Sequence, residues 1–274
     1  MKNVTQSTLL TSIERFYDAV PRAGAAAEPF GGLTLFVRQG AGWPYYARPA
    51  LDGPEPTADD VRRVRLRQRE LGAPEAFEWV DEVTPGLAAT ATDAGLTVHR
   101  HPLMVLNAFA PVAVPAGAEL RLLEPDATGL AADLATVKAV AMVGFSAPGT
   151  AAGEAGPAER DAIRELPTDD EVANERAALR SGRVARALLL DGSEPVSVGS
   201  YQRAGDVVEV AGVATLPSAR RRGLAAAVTS ALTRHALGQG AVLVLLSAGD
   251  EDVARMYGRI GFTLVATACI AEPA

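Results

Sequence analysis

The stretch Pro217-Ser218-Ala219-Arg220-Arg221-Arg222-Gly223-Leu224-Ala225 combines residue types that can hold an anion. It follows an apolar, strand-like run from Val207 to Leu216 and leads into a helix-patterned run from Arg221 to Leu237. The start of a helix exposes backbone N–H groups without internal acceptors, and a glycine such as Gly223 lets a phosphate approach them closely. Arg220, Arg221 and Arg222 add positive charge to an acidic chain, so the combination suits a pyrophosphate. An arginine triplet at a helix entrance is equally consistent with solvated surface. Neither G-x-x-x-x-G-K-[ST] nor G-x-G-x-x-G occurs, which argues against the ordinary nucleotide turns.

A second constellation lies downstream, at Asp250-x-x-Val253-x-x-x-Tyr257-x-x-x-Gly261-Phe262. Asp250 can cap a short helix carrying Val253, Met256, Tyr257 and Ile260, with Gly261 ending it and Phe262 opening a strand. Arg220-x-x-Gly223-x-Ala225 resembles the acyl-CoA-binding motif of the GCN5-related N-acetyltransferases. The second constellation is similar to that family's later segment, which has Asn, Ala, Tyr, Gly and Phe at these spacings. Asp250 and Val253 depart from it, placing a negative charge and extra bulk beside the expected cofactor arm. The resemblance covers about Glu119 to Ala271.

What the resemblance implies is the acyl-CoA N-acyltransferase fold, an α/β fold with a mixed, mostly antiparallel sheet and flanking helices. Acetyl-CoA would lie in a V-shaped gap between a strand ending near Thr215 and one ending near Ser247. The amides of Arg221 to Ala226, including Gly223, Leu224 and Ala225, would take the pyrophosphate, and the backbone of Val213, Ala214 and Thr215 the pantetheine. A primary amine would attack the thioester directly, and Tyr257 would supply the proton for the departing thiolate. A tyrosine packed in a core is the competing reading of Tyr257. Strand alternation puts Glu209 on one face with Ala211, Val213 and Thr215, within reach of the amine proton directly or through water. A salt-bridged or solvated strand glutamate is an equal alternative.

The remaining reactive side chains carry less. His235 sits more than two turns beyond Gly223 and reads as packing or helix C-terminus. His99 and His101 share a strand face with no third ligand at recognisable spacing, so no metal is expected. Cys269, the single cysteine, excludes an intrachain disulfide and reads as core.

These residues need elements to hold them. In the second half the pattern predicts a first strand at Leu120–Leu122, a helix from Thr128 to Val143, and a Gly, Ala and Pro loop from Ser146 to Pro157 that reads as mobile and long enough for a lid. Helical sequence follows from Glu159 to Ser181, interrupted at Pro167. Strands 185–190 and 195–201 are joined by the hairpin signal Asp191-Gly192, and 207–216 adds a third strand. A helix with Leu224, Val228, Ala231, Leu232 and His235 on one stripe precedes 241–246, a continuously apolar strand expected to be buried on both faces. The first half reads as a helix at 9–20, a Gly, Ala and Pro turn region, strands at 32–37 and 43–48, and an Arg-rich helix capped at Thr57-Ala58-Asp59-Asp60. A strand at 76–80, a helix at 85–94 closed by Gly95, and extended chain toward Leu106 complete it.

The chain has 274 residues, 48% hydrophobic and 22% charged, which fits two folded domains and excludes a disordered or fibrous chain. Pro111, Pro115 and Gly117 mark the expected junction, giving a 1–118 domain and a 119–274 catalytic domain. Strand, helix, Gly-apolar and strand recur in 76–106 as in 243–265, so the first half reads as a degenerate acetyltransferase-like lobe that packs against the active one. Ala91 stands there in the place of Tyr257, and no R-x-x-G-x-A precedes it. The formal charge of −7 argues against nucleic-acid or membrane-surface partners, no stretch is apolar enough for a membrane span, and the chain reads as cytoplasmic. A small-molecule or peptide amine is the expected acceptor, its identity and a homodimer being left open. The competing function is a non-catalytic acyl-CoA-binding or regulatory protein on the same fold.

Overall fold

The computed structural model describes residues 6–40, 45–147 and 149–274. Part of the strand expected at 43–48 therefore lies outside the described residues, and only Arg48–Pro49 forms a short strand there. The backbone divides into two compact units, one holding residues up to Leu103 together with Leu264–Ala274, the other Met104–Thr263. The chain passes between them within β5 (Thr97–Leu106) and β11 (Phe262–Glu272). The segment Ala108 to Ala118 belongs to the second unit and forms no helix.

In the first unit α1 (Gln6–Arg22) precedes a three-stranded antiparallel sheet of β1 (Ala25–Phe30), β2 (Leu33–Arg38) and β3 (Arg48–Pro49). The expected turn region is thus strand β1, because Ala25 to Phe30 pairs along its whole length with Arg38 to Leu33. In α2 (Ala58–Glu70) Thr57 caps as the sequence predicts, its Oγ1 accepting from the Asp60 amide, and the Asp60 carboxylate also accepts from the Thr57 amide, which completes a capping box. β4 (Phe77–Val80) pairs antiparallel with β11, setting Trp79 beside the buried Cys269. α3 (Gly86–Asp93) lies between β4 and β5 in the chain. Leu33, Val61, Val64, Phe77, Trp79 and Leu87 form the core of this unit.

In the second unit β6 (Ala118–Leu122), β7 (Val184–Asp191), β8 (Glu194–Ala204) and β9 (Val207–Thr215) run antiparallel, and β10 (Leu243–Ser247) joins β9 in parallel. Helices α4 (Leu130–Ser146) and α7 (Leu224–Gly238) cover opposite faces of this sheet. A Cβ on Gly144 of α4 would meet Ala214 Cβ at 2.9 Å, whereas one on Gly199 of β8 would meet Val228 and Leu232 of α7 at 2.7 and 3.0 Å. Both helices approach the strands that closely only because those positions carry hydrogen. The helical stretch 159–181 resolves into α5 (Pro157–Ala162) and α6 (Asp169–Arg180), the latter capped by Thr168 and Glu171. The run 241–246 is buried only in part. Val242 precedes β10 and is 80% exposed, so apolar composition overstated the strand by two residues.

Candidate active site

β9 and β10 pair at only three positions, Val207–Leu243, Val208–Val244 and Glu209–Leu245. Beyond them β9 continues for six residues, Val210 to Thr215, with no β10 partner. A β-bulge accompanies the separation. Val198 pairs with Ala214 but Ser200 with Ala211, so Gly212 and Val213 together face Gly199. Gly212 has φ +63°, a conformation suited to glycine at a bulge, and an extra residue bends and twists its strand. The result is a gap open to backbone groups.

The bulge corrects the expected alternation. Val213 and Thr215 lie on the α7 face, with Val213 Cγ2 3.2 Å from the position of a Gly199 Cβ, while Glu209 and Ala211 share the opposite face with Ala214. Glu209 is half-buried and accepts from Gln202 Nε2 at 3.2 Å. Thr215 Oγ1 and Ser197 Oγ share a hydrogen bond of 2.8 Å, and the Ser197 hydroxyl also lies 3.0 Å from the Ala214 carbonyl. The Thr215 carbonyl accepts from Arg220 Nε at 3.4 Å. Each of those carbonyls retains a second lone pair.

After β9 the chain makes a short 3₁₀ turn, Pro217–Ala219, and α7 begins at Leu224, three residues later than its pattern suggests. Two left-handed residues delay it, Arg221 at φ +65° and Gly223 at φ +80°. The amides of residues 221 to 226 have no acceptor among the described residues, and a Cβ on Gly223 would meet nothing within 4 Å. Successive backbone donors at a helix N-terminus form a concavity suited to phosphate oxygens. Leu224 itself is buried and anchors the helix on the sheet, while Ala225 and Ala226 are half-buried beside the turn.

The three arginines are placed differently from one another. Arg220 Nη2 donates to the carbonyls of Gly144 at 2.6 Å and Ala147 at 2.8 Å, and its Nη1 to that of Ala151 at 3.2 Å, so it satisfies the carbonyl end of α4. Arg222 forms a two-pronged pair with Asp191 at 2.6 and 2.9 Å. Arg221 is exposed, with no partner among the described residues. The loop expected to be a mobile lid is fastened at its described end, since Gly153 donates to the Pro217 carbonyl at 3.1 Å and Ser218 to that of Ala155 at 3.0 Å. Small residues, read from sequence as freedom, permit this close backbone pairing. The Arg220 clamp had no signal in sequence beyond charge.

α8 (Glu251–Gly258) is capped as expected, Asp250 Oδ1 accepting from the Val253 amide at 2.8 Å. Asp250 is exposed and Val253 half-buried. Tyr257, on the inner face of α8, is 6% exposed and packs against Phe262 with ring centroids 6.1 Å apart. Burial pushes its phenol up to about 12, offset in part by the Thr229 hydroxyl. Thr229 donates in turn to the Ala225 carbonyl at 2.9 Å, so the phenol is connected to the first turn of α7. Gly261, at φ +105°, allows no side chain, because a Cβ would lie 1.8 Å from the Ala108 carbonyl oxygen.

His235 packs as expected, stacked on Tyr201, whose hydroxyl lies 3.0 Å from its Nδ1. His99 lies 3.6 Å from Glu272. No group of three or more potential metal-binding side chains occurs among the described residues, and none of their helices is long and apolar enough to cross a membrane.

Comparison with known proteins bears on the fold. The FR47-like protein family matches residues 202–271, the span from late β8 into β11. A GCN5-related N-acetyltransferase from Kribbella flavida superposes with a TM-score of 0.69 at 24% identity, over 97% of this chain and 96% of that one. A GCN5-related N-acetyltransferase-like protein from Streptococcus suis gives 0.54 at 14% identity, over 98% and 99%. A tandem GNAT protein from the clavulanic acid biosynthesis pathway gives 0.52 at 14% identity, over 87% of this chain and 77% of that one. No curated protein matches the sequence. With its mixed, mostly antiparallel sheet flanked by helices, the chain has the acyl-CoA N-acyltransferase fold of the GCN5-related N-acetyltransferases.

Proposed function

We propose that this protein is an N-acetyltransferase that moves an acetyl group from acetyl-CoA to a primary amine by direct attack, using one site in the second unit. The observation that carries the reading is the parting of β9 from β10 after three paired positions, ahead of six consecutive amides without acceptors among the described residues. A strand edge followed by a phosphate-sized cradle fits a ligand with an extended amide-bearing arm and a pyrophosphate. The amides of Arg221 to Ala226 hold the pyrophosphate, with the open space over Gly223 giving it access and Arg221 adding charge. Arg220 and Arg222 act indirectly, by fixing the turn to α4 and to β7. Val213, Ala214 and Thr215 line the pantetheine arm, and Asp250 and Val253 border it from α8.

Bound acetyl-CoA supplies an acyl group activated as a thioester. Tyr257 holds a proton throughout the neutral range and directs it toward the sulfur, exchanging the Thr229 hydroxyl for that partner. Glu209 receives the amine proton through water, since the bulge turns it to the face opposite Thr215. The first unit is a degenerate lobe of the same kind, a reading supported by the superposition of a tandem protein on most of the chain.

The engagement of Tyr257 with Thr229 also favours a second reading, an acyl-CoA-binding protein without turnover. Thiol release from acetyl-CoA with a panel of small amines, peptide N-termini and lysine side chains separates the two. Amine-dependent release supports the transferase. Saturable acetyl-CoA binding with no release from any amine overturns it in favour of a binding protein.

A further inference from the structure

The first unit contains a cleft of about 460 Å³ that the proposed acetyl transfer does not use. That volume is in the range of small-molecule sites. Its floor includes Glu14 of α1, a carboxylate only 8% exposed. One oxygen accepts from the Val80 amide at 3.3 Å, a long hydrogen bond, and the other has no hydrogen-bond partner. The second oxygen of Glu14 keeps some exposure, so it is an acceptor open to the cleft.

The walls favour one sign of ligand. Asp52 and Glu55 are exposed at the rim, and no lysine, arginine or histidine among the described residues lines the cleft. The nearby Arg48 is paired with Glu78 and stacked over the Tyr17 ring, and Asp18 with Arg22, and their charges act on Glu14 in opposite directions. Pro49, Pro54, Pro56 and Pro85 line the cleft with ring carbons and have no backbone N–H to donate. An anion would face the carboxylates of Glu14, Asp52 and Glu55. The carboxylates form no cluster able to chelate a metal among the described residues, which fits a cation with a body rather than a bare ion.

We propose that this cleft binds an organic ammonium ion, a protonated amine on a compact apolar body, with Glu14 as its counter-ion and Glu55 at the rim. The ammonium donates to the unpaired Glu14 oxygen while the apolar body lies against the proline rings. Burial raises the Glu14 carboxyl above its usual range, with Arg48 and the Val80 amide working the other way, so a bound cation stabilises the charged form. The site stands independently of acetyl transfer in the second unit.

The probe is benzylamine, protonated at pH 7, titrated calorimetrically into the full chain beside uncharged benzyl alcohol. Benzylamine should bind saturably and at least about 10-fold more tightly than the alcohol, as expected for a charge-assisted hydrogen bond in a shielded site. Glu14→Gln keeps an acceptor for the Val80 amide and should weaken benzylamine about 10-fold or more. Glu55→Gln, an isosteric change at an exposed position, should weaken it about 3-fold and decides the matter if Glu14→Gln fails to fold. Absence of saturable binding, equal affinity for the alcohol, or affinity unchanged in folded variants overturns the proposal.

Discussion

Tyr257→Phe isolates the proton donor, because it removes one oxygen and keeps the ring against Phe262. With its phenol near 12, Tyr257 is a weaker acid than a thiol of about 8.5. Complete transfer to a free thiolate is therefore uphill by about 3.5 units, or about 5 kcal/mol. What the phenol can deliver is a strong hydrogen bond to sulfur as charge develops, worth about 1.5–3 kcal/mol when the partner is charged. That range corresponds to a loss of about 10- to 150-fold in the acyl-transfer step. Affinity for acetyl-CoA should change less than about 3-fold, since the Thr229 bond to Ala225 survives. The assay is single-turnover transfer at saturating acetyl-CoA, which separates chemistry from product release. A group near 12 stays protonated from about pH 6 to pH 9, so the variant's pH profile should be lowered without changing shape. Glu209→Gln should instead remove the limb on which amine deprotonation depends. Full single-turnover activity of Tyr257→Phe would refute the reasoning and return Tyr257 to a packing role. So would loss of a pH limb below 9, because it would mean that the phenol titrates there.

Gly223→Val should weaken acetyl-CoA by at least about 10-fold while the protein stays folded. A Cβ there meets nothing within 4 Å, so the new side chain extends into the space before the unbonded amides, and the left-handed backbone adds a cost of about 1–2 kcal/mol. Unchanged calorimetric affinity in a folded variant would remove the phosphate assignment. Titration of the full chain should saturate at one acetyl-CoA per chain, since the first half has no R-x-x-G-x-A ahead of a helix and has Ala91 in the place of Tyr257. A stoichiometry of two would contradict the degenerate reading of that lobe. Burial pushes the Cys269 thiol up to about 12, so at pH 8 roughly one thiol in ten thousand is ionised and alkylation by iodoacetamide should require unfolding. Rapid labelling of the native chain, followed by mass, would show that β11 opens readily.

The legible parts of this structure are those decided within a few residues. Thr57 and Asp60 cap a helix because their side chains reach amides three positions away, and Asp191-Gly192 turns a hairpin because Gly192 accepts φ +60°. Asp250 capping Val253 belongs to the same class. β1 could not be read that way. Ala25 to Phe30 has the composition of a turn, and its strand conformation comes from pairing with β2. The bulge at Gly212 is also a pairing event, and one extra residue there sends Glu209 to the opposite face from Thr215.

Arg220, Arg221 and Arg222 carry this distinction into the chemistry. In sequence they are three equal charges at a helix entrance, and counting them suggests a cofactor held by a cationic patch. In the fold Arg222 is neutralised by Asp191, and Arg220 has its guanidinium turned toward the carbonyl end of α4. Of the three, Arg221 alone has no partner among the described residues. Most of the attraction for an anion must then come from the amides of residues 221 to 226 and the α7 dipole, which are fixed in direction and tied to the backbone rather than to side-chain charge. A cradle of that kind responds weakly to removal of a single arginine charge and strongly to anything that moves the turn. By this logic Arg220 matters more for where it holds Gly144 and Ala147 than for the charge it carries, and replacing it with lysine, which keeps the charge but loses the planar fork, does not preserve its role.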